Sequence, residues 1–312
     1  MDFELNSRYI LCVYEQGNLT RAAKAIGISQ PALSAAISNV EKRIGFKIFD
    51  KRKQPFVLTK EGEIYLDYLQ KQQLLVDDYK KRIEELYDDE KGKVVIGGPT
   101  VYTESLIADA AAELHKTYPR YEIAIKNASV PELIKMVKKG EVDCFIGTSD
   151  NLPEGFEISE VKEETIYLCI PQKWSVNQKL EKYRTRLGED GECFDYTILN
   201  NLGFIFMESN QPLQIEIEKF IEENKLSVQK VLSVNQASVA VRMTALGTGI
   251  SFAPEEALIN SKYLENICLY RPSDIISKRK IYVVYDQERY MTCVCKRLIE
   301  ILHDMNYKER GK

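Results

Sequence analysis

One stretch near the start of the chain, NLTRAAKAIGISQPALSAAI (residues 18–37), constrains the fold more than any other. Its alanine-rich first half predicts a short helix that another helix can approach closely. Gly27 can adopt the left-handed backbone that ends a helix, Ser29 is a favoured N-cap, and Pro31 is tolerated in the first turn of the next helix. Two helices joined by so tight a turn form either a helix-turn-helix or a plain helical hairpin within a core.

The segment that follows favours the helix-turn-helix. FDKRKQPFVLTKEG places Lys51, Arg52 and Lys53 in a turn and then a short apolar strand, Phe56–Leu58. A strand pair with basic residues at its tip, called a wing, can contact phosphates. Residues 1–60 contain ten Lys or Arg against five Asp or Glu, a net charge of +5, although the whole chain has a net charge of −4. This uneven charge predicts a polyanion as the partner of the N-terminal segment.

Together these residues resemble a known family. NLTRAAKAIGISQPALSAAISNVEKRIGFKIFDKR and VLTKEGEIYL are similar to the winged helix-turn-helix of the LysR-type transcriptional regulators. The similarity includes the alanine pair, SQPALS, the Glu-x-x-x-Gly of Glu41 to Gly45, the Phe-x-Lys of Phe49 to Lys51, and LT-x-x-G. It implies three partners: double-stranded DNA with a dyad-symmetric operator, a small-molecule effector, and further copies of the chain in a homodimer or homotetramer.

The resemblance also implies which residues contact DNA. The first turn of the second helix would face the bases, where glutamine can pair with adenine and proline can contact a thymine methyl. Ala35 stands where the family often has arginine or a long polar residue, so no operator sequence is transferred from relatives. We expect the DNA contacts at Thr20, Arg21, Ser29, Gln30, Pro31, Ser34, Lys51 and Lys53.

A long helix is predicted next, because residues 61–91 contain no proline and no glycine after Gly62. Its apolar residues repeat every seven positions, which favours helix pairing, whereas a helix lying on its own domain is the alternative. The resemblance implies a dimerisation helix. A dimer would carry two DNA-binding domains, one for each of two successive half-sites. The predicted seam consists of Leu69, Val76 and Ile83 with the interleaved Tyr65, Gln72, Tyr79 and Leu86.

The remaining residues predict two similar α/β lobes. KVVIGGP, YEIAIK and VDCFIGT are strand-like and separated by helical segments, and GFIFME, VQKVLSV and GISFAP repeat the series. Such alternation predicts parallel sheets. Corresponding loops are 27 and 13 residues apart in the first series (100, 127, 140) and 26 and 12 in the second (209, 235, 247). RKIYVVYDQERYMTCVCKRLIEILHDM should return to the first lobe as a strand and a helix.

Two such lobes would place strand C-termini and helix N-termini around a cleft, where open α/β sheets bind ligands. Helix N-termini favour an anionic group, and Thr100, Ser129 and Ser209 are hydroxyl residues at three of them, although simple N-capping is the alternative role. The resemblance implies a fold of the periplasmic-binding-protein type that holds a small molecule here. We expect effector contacts at Thr100, Val101, Tyr102, Ser129, Thr148, Glu208, Ser209 and Asn235.

These patterns predict three segments with two crossings between the lobes. The expected boundaries are a winged helix-turn-helix over 1–60, a dimerisation helix over 61–90, and an effector domain over 91–312, with lobe I at 91–162 and 272–312 and lobe II at 163–271. The crossings are expected near Glu163–Thr165 and Arg271–Asp274.

Catalysis and metal binding have little support in the sequence. It contains no GxxxxGK(S/T) and no GxSxG, and neither His115 nor His303 lies in a motif. Glu163 and Glu164 would face opposite sides of a strand and are expected to be solvated. No cofactor and no metal are therefore expected. Two alternative functions stay open: an architectural DNA-binding protein without a ligand, and a DNA-binding protein with a catalytic α/β domain.

The expected location is the cytoplasm. Seven scattered cysteines without a CxxC spacing favour a reducing compartment. The acidic start MDFELN has no basic region followed by an apolar run, so no secretory signal is predicted.

Overall fold

The computed structural model describes residues 2–50, 55–148, 152–209, 211–259, 261–273, 276 and 278–309. The chain forms two compact units, residues 1–81 and 82–312, and each is described by itself. The α-helices are α1 (Asp2–Gln16), α2 (Leu19–Ile26), α3 (Gln30–Ile44), α4 (Lys60–Tyr87), α5 (Thr100–Thr103), α6 (Leu106–Thr117), α7 (Val130–Lys138), α8 (Val176–Lys179), α9 (Pro212–Glu223), α10 (Ala237–Ala245), α11 (Glu255–Ile259) and α12 (Cys293–Glu309).

Short 3₁₀ turns and the β-strands complete the described structure. The 3₁₀ turns are Glu181–Tyr183, Tyr196–Leu199 and Leu264–Asn266. The strands are β1 (Phe49–Asp50), β2 (Val57–Leu58), β3 (Gly92–Gly98), β4 (Tyr121–Asn127), β5 (Cys144–Gly147), β6 (Phe156–Pro171), β7 (Arg184–Thr185), β8 (Gly203–Met207), β9 (Gln229–Val234), β10 (Ser251–Pro254), β11 (Ile267–Tyr270) and β12 (Lys278–Asp286). No helix among the described residues is both long enough and apolar enough to cross a membrane.

The N-terminal unit confirms the predicted helix-turn-helix and wing. Gly27 ends α2 with φ +81°, and its N–H donates to the carbonyl of Ala23. Ser29 caps α3 through a bond from the Ala32 N–H to its hydroxyl, and Pro31 lies in the first turn. The wing strands β1 and β2 pair antiparallel. α1, which the sequence analysis did not predict, packs with α2 and α3 around a core that includes Ile10, Val13, Ala22, Ala23, Leu33, Ile37, Val40, Ile48, Phe49, Leu66 and Leu69.

Two family motifs hold the wing to the helices. The carboxylate of Glu41 is buried and accepts bonds from the Ile48 N–H at 3.1 Å and from Lys47 Nζ at 2.7 Å. The Thr59 hydroxyl donates to the Lys47 carbonyl and accepts the Gly62 N–H at 2.9 Å, which caps α4. Packing requires a glycine at position 62, because a Cβ on Gly62 would lie 2.1 Å from the Ile48 carbonyl oxygen.

The long helix α4 presents a seam that differs in part from the predicted one. It ends at Tyr87, three residues before the predicted boundary at residue 90. Leu69 and Tyr65 are wrong as seam residues, because both pack in the core of the N-terminal unit. Six of the exposed apolar residues lie on one side of the helix and define what we call the α4 stripe: Ile64, Tyr68, Leu75, Tyr79, Ile83 and Leu86. Their spacing of three, four or seven residues places them on one side of the helix, with Gln72 between them.

The second unit has the two predicted lobes, but its eight-stranded sheet is mixed rather than parallel. β3 pairs parallel with β4 and β5, and β8 pairs parallel with β9. The difference arises from β6, a strand of 16 residues that serves both lobes. β6 pairs antiparallel with β12 as far as Thr165 and with β10 from Ile166 onward. This change of partner falls where the sequence places the first crossing.

Each lobe has its own apolar core. The core of the first contains Val94, Ile96, Leu106, Ile107, Ala110, Cys144, Ile146, Ile281, Val283, Leu298 and Leu302. The core of the second contains Ile166, Leu168, Leu199, Phe204, Ile205, Ile217, Phe220, Ile250 and Phe252. β12 pairs with β5, and α12 packs on α6, so the closing segment returns to the first lobe as predicted. The second crossing lies between β11 and β12, where 274, 275 and 277 are outside the described residues.

Gly62→Ala should destabilise the N-terminal unit by about 1–3 kcal/mol, because the new methyl group overpacks against the Ile48 carbonyl. Glu63→Ala, one residue further along the exposed surface of α4, is the control and should change stability little. Thermal unfolding of the two variants makes the measurement. A Gly62→Ala protein as stable as the Glu63→Ala control would contradict the close approach.

Candidate functional site

The first turn of α3 is the candidate DNA-reading surface. Ser29, Gln30 and Pro31 are exposed there, and Ser34, one turn further on, is half-buried. The helix is held from below by Leu33 and Ile37, whose side chains are fully buried. Exposed N-terminal residues on a buried helical base match the geometry with which a recognition helix enters the major groove.

The start of α2 contributes two more exposed candidates, Thr20 and Arg21. Asn18, which sequence reasoning missed, fixes this turn, because its side-chain oxygen accepts the N–H groups of both residues at 2.8 and 3.2 Å. An asparagine immediately before an alanine-rich helix is an N-cap signal that could have identified it. The wing candidates Lys51 and Lys53 lie outside the described residues.

In the first lobe, the candidate effector residues follow the C-terminal ends of β3, β4 and β5. Thr100 begins α5, which is a single turn, and its hydroxyl is bonded to the Asn127 side chain. Ser129 is exposed, but its hydroxyl donates to Glu132 at 2.7 Å in a capping box. Val101 and Thr148 are half-buried. The helix-capping alternative therefore accounts for Ser129.

In the second lobe, Glu208, Ser209 and Asn235 are exposed at the C-terminal ends of β8 and β9. The backbone at Asn235 is held by Gln211, whose side-chain amide donates to its carbonyl at 2.6 Å. A depression of about 410 Å³ adjoins this edge and is lined by Met207, Glu208, Ser209, Gln214, Glu218, Lys230 and Ser233. Two of the three candidates in this lobe thus line an existing concavity.

Tyr102 is the candidate that connects to both lobes, although it is buried rather than open to a ligand. Its hydroxyl donates to Glu164 Oε1 on β6 and accepts Arg279 Nη2 from β12 at 2.9 Å. Arg279 Nε also donates to Glu164 Oε1 at 2.6 Å. Burial raises the pKa of Tyr102 well above its usual value, so this hydroxyl stays protonated. The three side chains meet where β6 passes from one lobe to the other.

The expectation of a solvated Glu164 is wrong. Its side chain is fully buried, while that of Glu163 on the opposite face of the strand is 43% exposed. The sequence predicted that Glu163 and Glu164 face opposite sides of the strand. It did not predict the ion pair, because Arg279 lies 115 residues away along the chain. The other oxygen of the same carboxylate, Glu164 Oε2, is buried and has no hydrogen-bond partner among the described residues.

Further charged residues, from β6 and from helices of the second lobe, interact with this triad. Lys162 on β6 pairs with Glu256 of α11 at 2.7 Å, and both side chains are buried. Burial raises the pKa of Glu255. The positive charge of Lys162 opposes this rise, whereas the negative charges of Glu256 and Glu164 add to it. Burial likewise raises the pKa of Glu216 on α9, with Arg279 and Lys219 opposing the shift and Glu164 adding to it. We call Tyr102, Lys162, Glu164, Glu216, Glu255, Glu256 and Arg279 the junction cluster.

The last turn of α4 is bonded to the first lobe. Glu85 accepts the Tyr290 hydroxyl and the backbone N–H of Cys293, each at 2.7 Å, and so caps α12. The bond to Glu85 raises the pKa of Tyr290 to about 12. The Arg82 guanidinium lies 4.6 Å from the centre of the same ring. All of these contacts lie within the second unit.

Comparison with known families accounts for nearly all of the chain. Residues 6–63 match the family described as bacterial regulatory helix-turn-helix protein, lysR family. Residues 88–306 match the family described as LysR substrate binding domain. The two matches cover the helix-turn-helix unit with its wing and the two-lobe unit respectively.

Relatives and solved structures agree with these matches. The chain is 22% identical to a probable RuBisCO transcriptional regulator of Phaeodactylum tricornutum, over 91% of this chain and 90% of that protein. It is 20% identical to the uncharacterized HTH-type transcriptional regulator YybE of Bacillus subtilis, over 92% and 94%. Its fold is similar to that of a full-length OxyR variant from Pseudomonas aeruginosa, with a TM-score of 0.67, 21% identity and coverage of 96% and 92%. It is also similar to full-length CbnR complexed with its target DNA, with a TM-score of 0.63, 18% identity and coverage of 96% and 98%.

Arg279→Leu should cost about 3–5 kcal/mol of stability, because it leaves the buried carboxylate of Glu164 without its cation. The double variant Arg279→Leu with Glu164→Leu should recover much of that loss, since both charges are then removed. Lys280→Leu is the control, because Lys280 and Glu160 form a half-exposed pair that contributes no more than about 1 kcal/mol. Denaturant unfolding would contradict the pairing if the double variant were less stable than Arg279→Leu alone.

Proposed function

Because the chain belongs to the LysR family of bacterial transcriptional regulators, we propose that it binds a dyad-symmetric DNA site and that a small molecule bound between its two lobes changes that binding. One observation carries the proposal: the first turn of α3 is exposed on a rigid helix-turn-helix, in the same chain as a two-lobe domain that matches the family's substrate-binding domain. The proposal assigns no catalytic role to the chain, and it places the chain in the cytoplasm, where it has access to DNA.

Within the N-terminal unit, we propose that Gln30, Pro31 and Ser34 contact base edges. Thr20 and Arg21 would contact phosphates, together with Lys51 and Lys53 of the wing. Exposed polar and basic residues of this kind fix the register of a protein on DNA, while the recognition helix reads the sequence. Ala35 is exposed beside them and offers only a methyl group.

The α4 stripe supports pairing of two copies of the chain. Leu75 is 69% exposed, Tyr79 is 64% exposed and Leu86 is 80% exposed. A helix leaves so many large apolar side chains exposed on one side when another helix covers them. We propose that α4 pairs with α4 of a second copy, which supplies two DNA-reading heads for two half-sites. A tetramer would be a pair of such dimers.

The effector site is proposed at the C-terminal strand ends of both lobes, with Thr100, Val101, Thr148, Glu208, Ser209 and Asn235 as contacts, Ser129 at the rim and Tyr102 beneath. The sequence favoured an anionic effector because helix N-termini were expected there. That argument loses much of its basis, since α5 is one turn long and Glu132 already supplies an anion to α7. The charge of the effector must be argued from other groups.

Coupling from the effector to DNA is proposed to run through α4. Glu85 and Arg82 tie the end of this helix to Tyr290 and Cys293 of the first lobe. Movement of the second lobe relative to the first would then act on DNA binding through the last turn of α4, which is bonded to the first lobe. An effector produces such a change only through different affinities for two arrangements of the assembly.

For the division of the chain, we propose a DNA-binding domain over 1–60, a dimerisation helix over 61–90 and an effector domain over 91–312. Lobe I comprises 91–162 and 272–312, and lobe II comprises 163–271. The pairing of β6 with β12 before Ile166 and with β10 after Thr165 supports the position of the first crossing.

The DNA-reading proposal predicts that Gln30→Ala reduces discrimination by about 1–3 kcal/mol at one base pair in each half-site. Lys53→Ala should instead weaken binding to all sequences about equally and flatten the salt dependence. Asn39→Ala, exposed two turns further along α3, is the control. Binding to operator and random DNA is measured over a range of salt concentrations. If Gln30→Ala kept the wild-type sequence preference, α3 would not read that base.

The pairing proposal predicts that Leu75→Glu combined with Tyr79→Glu releases monomers, because charges would be buried in the helix pair. Lys81→Glu introduces a charge of the same sign on the side of α4 away from the stripe and should leave the assembly intact. Light scattering gives the mass of each. A double variant with the wild-type mass would show that the stripe does not hold the dimer.

A further inference from the structure

The connector between α4 and β3 is short, and the first lobe holds its backbone. It consists of residues 88–91. The carbonyl oxygen of Asp89 accepts the Tyr121 hydroxyl at 2.6 Å and Arg297 Nη1 at 3.4 Å. Tyr121 begins β4 and Arg297 lies on α12, so two separate elements of the lobe bond one peptide group. A peptide group bonded twice in this way cannot turn freely, and the connector is therefore not a free hinge.

The two donors to this carbonyl are themselves packed together. The Arg297 guanidinium lies 4.3 Å from the centre of the Tyr118 ring and 5.5 Å from that of Tyr121, and Arg297 Nη1 also donates to the Tyr121 hydroxyl. Burial raises the pKa of Tyr121, so its hydroxyl stays protonated and donates to Asp89. Because ring stacking and burial already hold both side chains, they lose little rotamer entropy when they bond the connector.

The exposed ion pairs around the connector matter less than this contact. Arg120 pairs with Asp88 and, at 3.9 Å, with Glu90, but its side chain is 55% exposed. Exposed pairs of this kind contribute little and are screened by salt. The Tyr121 side chain, by contrast, is buried, and its hydroxyl finds its partners in the Asp89 carbonyl and Arg297. A buried polar group that lost such partners would cost free energy, so the contact with Tyr121 fixes the connector.

The last turn of α4 is fixed to the same helix of the first lobe. Glu85 accepts the backbone N–H of Cys293, the first residue of α12, at 2.7 Å. Arg297 lies one turn further along that helix. The helix α12 therefore bonds the chain before the end of α4, at Glu85, and after it, at Asp89. We call Glu85, Asp89, Tyr121 and Arg297 the connector clasp.

We propose that the connector clasp makes the last turn of α4 and the first lobe move together, and that Tyr121 and Arg297 are positioning residues for communication between the effector domain and the DNA-binding domain. The inference rests on the proposed regulatory function of the chain. A coupling free energy between two sites is reciprocal, so DNA binding should alter the first lobe even when no effector is present. A connector that turned freely would not transmit such a change.

The first arm of the test measures backbone amide hydrogen exchange in the full-length chain. Tyr121→Phe removes the hydroxyl, keeps the ring in the core, and should speed exchange of the amides of residues 88–91 about tenfold. Arg297→Gln should have a similar effect. Tyr118→Phe is the matched control, because the Tyr118 hydroxyl makes no hydrogen bond among the described residues. If Tyr121→Phe and Arg297→Gln both exchanged like the control, the clasp would be overturned.

The second arm uses a DNA duplex enriched from random sequence by binding to the full-length wild-type chain. The clasp variant is Tyr121→Phe with Glu85→Gln. Its matched control is Tyr118→Phe with Glu84→Gln, because Glu84 is exposed beside Glu85. In wild type and control, the duplex should change amide exchange within residues 92–147 of the first lobe. In the clasp variant that change should fall by at least about threefold, because the connection to α4 is broken.

The outcomes separate this inference from the proposed function. If the duplex changed the first lobe equally in the clasp variant and its control, or left the first lobe of wild type unchanged, the clasp would be overturned and DNA binding would stand. If no duplex were enriched, the proposed function would fail, and hydrogen exchange in Tyr121→Phe would still decide whether the clasp holds the connector.

Discussion

The ion pair between Glu164 and Arg279 is the interaction on which the two-lobe unit depends. β6 pairs with β12 as far as Thr165 and with β10 from Ile166 onward. The backbone at this change of partner must be held in place by side-chain contacts. The pair joins β6 to β12, and the Tyr102 hydroxyl joins both strands to α5. Because the pair is buried, removing either charge alone is far more costly than at the surface. The position of the crossing therefore fixes how the lobes are connected.

The helix-turn-helix and wing are held by a different kind of constraint. There the helices bury a shared apolar core, and the wing is attached through backbone groups that are satisfied by Glu41 and Thr59. Gly62 allows α4 to begin against the carbonyl of Ile48, so the long helix starts from a rigid base. Glu41, Thr59 and Gly62, which belong to the family's motifs, therefore serve the packing of the N-terminal unit. The exposed first turn of α3 is left free for contact with DNA.

Sensing and reading are separated along the chain, and α4 is the element that runs through both units. Its end is bonded to the first lobe through Glu85, whereas the junction cluster includes carboxylates from the second lobe. The charge of a ligand cannot be judged from helix N-termini alone, since the Glu132 carboxylate already occupies the N-terminus of α7.

The sequence by itself determined the features that depend on neighbouring residues. The turn at Gly27, the N-cap at Ser29, the length of α4 to within a few residues and the alternation of strands and helices in both lobes follow from backbone preference and local periodicity. Only the tertiary structure decided what depends on residues far apart. It buried Leu69 in the core of the N-terminal unit, paired Glu164 with Arg279 from 115 residues away, and bonded the Ser129 hydroxyl to Glu132. The physical reason is that burial and charge compensation are properties of a packed neighbourhood, whereas turns and caps are properties of the chain over a few residues.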